Sequence, residues 1–169
     1  MPLSMHAASV PVFVRMLSNM LAWLDKAEAH AKARGFDPNA YLASRLAPDM
    51  IPLSGQVQIA SDAVKGFVAR LAGVEPPKWA DDEKTLDELR ARIRKTIEYA
   101  QSVPAAKLEG SEGRGIALPT PRGEPLRFSG EAFLKHFALP NFFFHCVTAY
   151  ALLRAGGVPL GKMDYLGAP

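Results

Sequence analysis

The sequence predicts an all-α protein, one four-helix bundle with a decorated connection before its last helix. Three observations carry that prediction. Four stretches place apolar residues at three- and four-residue steps, the period of one buried helix face. Glycine and proline cluster in the connections between those stretches. The 169 residues are 49% hydrophobic with mean hydropathy near zero, which suits a single domain over 1–169 with a sizeable core.

The first stretch, 4–34, sets Val10, Phe13, Leu17, Met20, Leu21, Leu24 and Ala27 on one face and Arg15, Ser18, Asp25, Lys26 and Glu28 mostly on the other. Pro11 either sits in the first turn or kinks a helix that begins near Ser4, because proline removes a ladder hydrogen bond. Gly35 is the expected stop. The second helix, 49–73, is expected to start at an Asp49 cap with Pro52 in its first turn. Its stripe is Leu53, Val57, Ala60, Val64, Phe67 and Leu71, and Gly73 with Pro76-Pro77 ends it.

The third helix, 82–101, opens at Asp81 or Asp82 and carries a narrow stripe of Leu86, Leu89, Ile93, Ile97 and Ala100. Glu88 and Arg92 are spaced as an i,i+4 pair. Arg90, Arg92, Arg94 and Lys95 alternate with Asp87, Glu88 and Glu98, which reads as the solvated face of an outer helix. From 102 to 130 the glycines and prolines forbid a continuous helix. Strand-like pieces at 116–118 and 126–128 flank the turn-rich Thr120–Pro125 segment, giving a small hairpin or a plain crossover loop.

Ser129 caps the last helix, 130–156, which Pro140 either kinks or divides. Between Asn141 and Arg154 that helix is apolar nearly all round, so its own bundle or a second subunit must cover it, and a homodimer is expected. Gly156-Gly157 end it and leave a short tail. Gly156 to Met163 nearly matches a phosphate loop. However, a helix rather than a strand precedes it, and Met163 offers no hydroxyl to magnesium, so it reads as a helix stop.

Composition removes several functions. A net charge of +3 is too small for a nucleic-acid footprint, and no apolar run approaches the ~18 residues of a membrane span. The opening MPLSMH lacks the basic start of a signal peptide. One cysteine excludes an internal disulfide framework and a Cys-rich zinc site, and Cys146, in an apolar helix, reads as an inert core thiol. A cytoplasmic protein with neither nucleic-acid nor membrane partners is expected.

One polar constellation stands out. Asn141, His145 and Thr148 fall at i, i+4 and i+7, along one stripe of the apolar final helix. Buried polar groups are costly unless partnered. Asp49 and Gln56, seven residues apart on the second helix, are the nearest candidates to meet them. The cluster Asp49, Gln56, Asn141, His145 and Thr148 reads either as a hydrogen-bond network that fixes helix register or as a pocket for a small ligand or metal. His6, His30 and His136 read as surface or edge histidines.

Three segments resemble a bacterial family of unknown function in the DinB/YfiT-like superfamily of four-helix bundles. They are RLAPDMIPLSGQVQIASD (45–62), RLAG (70–73) and LPNFFFHCVTAYALLRAGGVPLGKMDYLG (139–167). The resemblance implies an up-down-down-up bundle, usually dimeric. In many members it implies a divalent metal held by one histidine of helix two and an H-x-x-x-H pair of helix four. Some members are thiol-dependent transferases, hydrolases or isomerases. Counting back from Leu153-Arg154 sets His145 on the second histidine of that pair, Asn141 on the first, and Gln56 near the helix-two position. Amides are weak ligands for zinc or nickel, so no cofactor is expected, and His145 would be the ligand if a metal bound. The expected function is a DinB-like bundle whose interior cluster is structural or binds a small molecule. The alternatives are a zinc- or nickel-dependent transferase or hydrolase acting on a small molecule, and a dimeric interaction module.

Overall fold

The computed structural model describes residues 3–120 and 123–167. Helix α1 spans Val10–Arg34, preceded by turns in which Ala8 N donates to Ser4 O and Val10 N to His6 O. The helix therefore starts at residue 10 rather than 4, and Pro11 lies in its first turn, where it removes no ladder bond. A 3₁₀ turn, Pro38–Ala43, leads towards α2, Leu53–Ala72. The expected start at Asp49 is wrong by four residues. Asp49 is exposed in a turn, and the position before α2 is held by Pro52 in an extended conformation. A residue preceding a proline is biased out of the helical region, which keeps Ile51 from extending the helix backwards.

Helix α3 is Leu86–Ser102, and neither Asp81 nor Asp82 caps it. Its cap is Thr85, whose Oγ1 accepts from Glu88 N at 3.1 Å while Glu88 Oε2 accepts from Thr85 N at 2.9 Å. This reciprocal capping box satisfies two otherwise unbonded amides. Glu88 is thereby committed to the helix start, and the expected pair with Arg92 does not form. A short α4 (Ala105–Leu108) precedes the hairpin of β1 (Gly115–Leu118) and β2 (Leu126–Ser129), which pair antiparallel with Ile116 opposite Phe128. The hairpin alternative is therefore the correct one.

The last helical stretch begins at the Ser129 cap, whose Oγ accepts from Ala132 N. It runs as α5 (Gly130–Phe133), a π turn (Leu134–Ala138) and α6 (Leu139–Ala155). Pro140 explains the π turn. It has no N–H for the carbonyl four residues back and its ring crowds that carbonyl, so the preceding turn widens and the chain stays helical. The short tail expected after Gly157 contains a further helix, α7 (Lys162–Leu166), fastened to α1. Trp23 Nε1 donates to Asp164 O at 2.7 Å, Asn19 Nδ2 to Tyr165 O at 2.8 Å, and Trp23 stacks on Tyr165 at 5.6 Å.

The core lies where α1, α2 and α6 meet. Phe13 packs edge-on to Phe67 at 5.3 Å and to Phe142 at 4.9 Å, and Trp23, Leu17, Met20 and Leu24 are fully buried around them. The basic run of α3 departs from expectation, since Arg90 and Arg92 are both buried. Arg90 bonds Asp25, Glu28, Asp87 and Leu24 O, while Arg92 bonds Asp62, Asp81, Glu83 and Ala80 O. Among the described residues, no helix is long and apolar enough to cross a membrane.

Candidate functional site

The polar stripe of α6 faces α2 at one point. His145 Nδ1 lies 2.8 Å from Gln56 Oε1, and Gln56 Nε2 donates to Ile51 O at 3.1 Å. Those two bonds settle the proton. The amide nitrogen is committed to a carbonyl, so the amide oxygen faces the ring and Nδ1–H donates to it. Gln56 is fully buried, His145 nearly so, and burial holds the imidazole below its ordinary pKa of 6.5, favouring the neutral ring. Its Nε2 keeps a lone pair, and Phe144 stands edge-on to the ring at 5.2 Å.

The other sequence candidates do not join this pair. Asp49 is exposed in its turn and bonds neither residue. Thr148 is buried, but its hydroxyl donates to Phe144 O at 2.7 Å, four residues back in its own helix. Asn141, one helical turn before His145, is half-buried and lines a separate cleft of about 390 Å³. The expected five-residue cluster is thus a hydrogen-bonded pair with two outlying side chains and a surface aspartate. Cys146 is buried, and burial pushes its thiol far above the usual range, leaving no thiolate to react.

The donor set does not fit the metal that the superfamily resemblance implies. One imidazole lone pair and two amides lack the charge and softness that zinc or nickel selects. Among the described residues, no three His, Cys, Asp or Glu side chains are grouped to hold an ion.

Two neighbourhoods escaped the sequence reading. His30, expected as an edge residue, is half-buried, with Nδ1 2.7 Å from the Tyr41 hydroxyl, which donates on to Gly156 O at 3.4 Å. This relay ties the ends of α1 and α6 to the 3₁₀ turn. The second is the cleft itself, bounded by α2, the hairpin and the π turn, and lined by Asp62, Ala63, Arg70, Leu118, Phe133, Phe137 and Asn141 among others. The only local signal is the spacing Asp62, Gly66, Arg70 along one side of α2, which periodicity assigns to no function.

Residues 5–166 match the model of a family described as a domain of unknown function (DUF1993). In three dimensions the chain is similar to a crystal structure of a DinB family member protein from Shewanella denitrificans. The two share 42% sequence identity and superpose with a TM-score of 0.87 over 97% of this chain and 92% of that one. No curated protein sequence matches the chain.

Proposed function

The chain belongs to the DUF1993 family, and from that premise we propose a DinB-like bundle that binds a small molecule beside α2 and uses His145 to hold its helices in register. The observation that carries this reading is the closed pair of bonds from His145 to Gln56 and from Gln56 to Ile51 O. A neutral imidazole tied to a neutral amide fixes one rotation and one translation of α6 against α2, because any slip leaves both groups buried and unbonded. The cleft that Asn141 lines falls within the size of small-ligand sites and is mostly apolar with a few polar groups.

The up-down-down-up order belongs to the same reading. It is supported by Phe13 against Phe142 and Trp23 against Tyr150, which run in the same sense along α1 and α6. Gln56 against His145 and Phe67 against Phe133 run in opposite senses along α2 and the last helical stretch. A cytoplasmic location is supported by the lone buried thiol, which needs no oxidising compartment.

Elemental analysis of untagged protein tests the role of His145. Wild type and His145→Ala are both expected without stoichiometric metal. Zinc, nickel or iron held in wild type and lost in the variant overturns the structural reading in favour of a metal site. A homodimer is part of the proposal, supported by Phe144 at 56% and Val147 at 49% exposure on the most apolar helix of the chain. Light scattering on a sizing column should give twice 18.3 kDa for wild type and 18.3 kDa for Phe144→Glu. A monomeric wild type at micromolar concentration removes the dimer.

A further inference from the structure

Arg70 lies in the last turn of α2, half-buried, where its guanidinium curls back along the helix over Gly66. A Cβ at position 66 would stand 2.5 Å from Arg70 Nη1, so the glycine makes the room that the arginine occupies. Glycine is a weaker helix former than alanine, and the room it leaves here is filled by one side chain.

Among the described residues, the two buried arginines are held by several partners each. Arg90 and Arg92 each meet three carboxylates and a carbonyl, whereas the guanidinium of Arg70 has neither a hydrogen bond nor an ion pair among the described residues. Burial pulls its pKa below the ordinary arginine value, against an opposing field from Glu75, with which it forms no ion pair. The group stays charged at neutral pH with five donors unsatisfied by protein. A guanidinium that is partly stripped of water and lacks a bonded partner has the donors to pair with an anion.

The space in front of it defines the rest of the ligand. The cleft of about 390 Å³ has Arg70 and Asn141 as donors, while Phe133, Phe137 and Leu118 supply apolar lining. Among the described residues Asp62 is the one carboxylate on its rim, and it is already bonded to Arg92 and Lys65. That leaves Arg70, among the described residues, as the charged group of the cleft without a bonded partner.

We propose that this cleft binds a small organic acid, its carboxylate paired with Arg70 and Asn141 and its apolar body held against Phe133 and Phe137. The inference rests on the small-ligand reading above and adds the ligand's charge to it. Fork-to-fork pairing of guanidinium and carboxylate fixes orientation as well as affinity, and a phenyl ring or a short alkyl chain suits the lining.

Calorimetric titration of the full chain with phenylacetate and its neutral isostere phenylacetamide tests both levels. Phenylacetate should bind roughly ten- to a hundredfold more tightly than the amide, the ratio that a charge-assisted hydrogen-bonded pair confers. Arg70→Gln should abolish the difference without lowering the melting temperature, because the Arg70 guanidinium makes no hydrogen bond or ion pair among the described residues. Arg70→Lys should restore part of it, and Phe137→Ala should weaken both ligands together. Equal affinity for acid and amide, or an Arg70→Gln variant that still prefers the acid, overturns the charged-ligand proposal and leaves the small-ligand reading standing. No binding of either compound to wild type overturns both.

Discussion

The two sides of α2 bury their polar groups in opposite ways. Towards α6 the interface is apolar and holds one neutral pair, His145 and Gln56, with a single hydrogen bond between helices. Towards α3 the bundle is closed by charge. Arg92 gathers Asp62 from α2 together with Asp81 and Glu83 from the segment before α3, and Arg90 does the same for Asp25 and Glu28 of α1. A neutral pair needs only that both members be present, and its desolvation cost is small. A buried guanidinium needs every partner, and Arg92 Nε is already without one. The difference teaches that α6 is positioned by shape and one directional bond. Helix α3 buries its narrow stripe of Leu86, Leu89, Ile93 and Ala100 and adds long-range ion pairs on either side of it.

The largest effect that probes this contrast should come from Arg92→Ala. It leaves Asp81 and Glu83 without their cation and Asp62 with Lys65 alone, and urea unfolding should show a loss of about 3 kcal/mol. A loss smaller than that of His145→Ala would reverse the ranking of the two interfaces. His145→Ala comes next, at about 2 kcal/mol, because Gln56 Oε1 is left buried and unbonded.

The smallest effect is a pH slope that separates the two sides. The folded pKa of His145 lies below 6.5, so the unfolded chain takes up a proton that the folded chain refuses. Its contribution is complete above about pH 6.5 and is lost as the pH falls below that value. On the other side, burial raises the carboxyl pKa of Glu83, but hydrogen bonds from Arg92 and Gln58 outweigh it and hold the group below 4.5. That contribution survives until the pH falls through the lower range. Melting curves between pH 7.5 and 5.5 should therefore decline in wild type and flatten in His145→Ala. An unchanged slope in the variant would show that other groups cause the decline.

The helices were legible in the sequence because each stripe is a local pattern, and so was the pairing of Gln56 with His145 as one of several candidate contacts, since polar residues on apolar stripes need partners. On the same stripe Thr148 bonds within its own helix and Asn141 lines the cleft instead. The helix starts were less so. Asp49 and Asp81 are good caps by residue type, but the competing signals at Pro52 and in the Thr85-x-x-Glu88 box decide the outcome. The burial of Arg90 and Arg92 was illegible for a different reason. Their neighbours in sequence suggest a solvated face, while several of their partners lie 30 to 65 residues away. Arg70 gave no signal, because what marks it is a missing partner, and absence is visible only once every neighbour is placed.

The π turn before Pro140 fixes more than a bend. A π turn is an α-helix with one residue added, and each helical residue turns the chain by about 100°. A relative lacking one residue between 134 and 138 would run straight through as α-helix, rotating Phe133 by that angle relative to Asn141. Its phenyl ring would leave the stack on Phe67, and the cleft would lose one wall while keeping every residue type that lines it. A single-residue gap in an alignment at this point would therefore mark two lineages with different clefts, even where all the lining side chains agree.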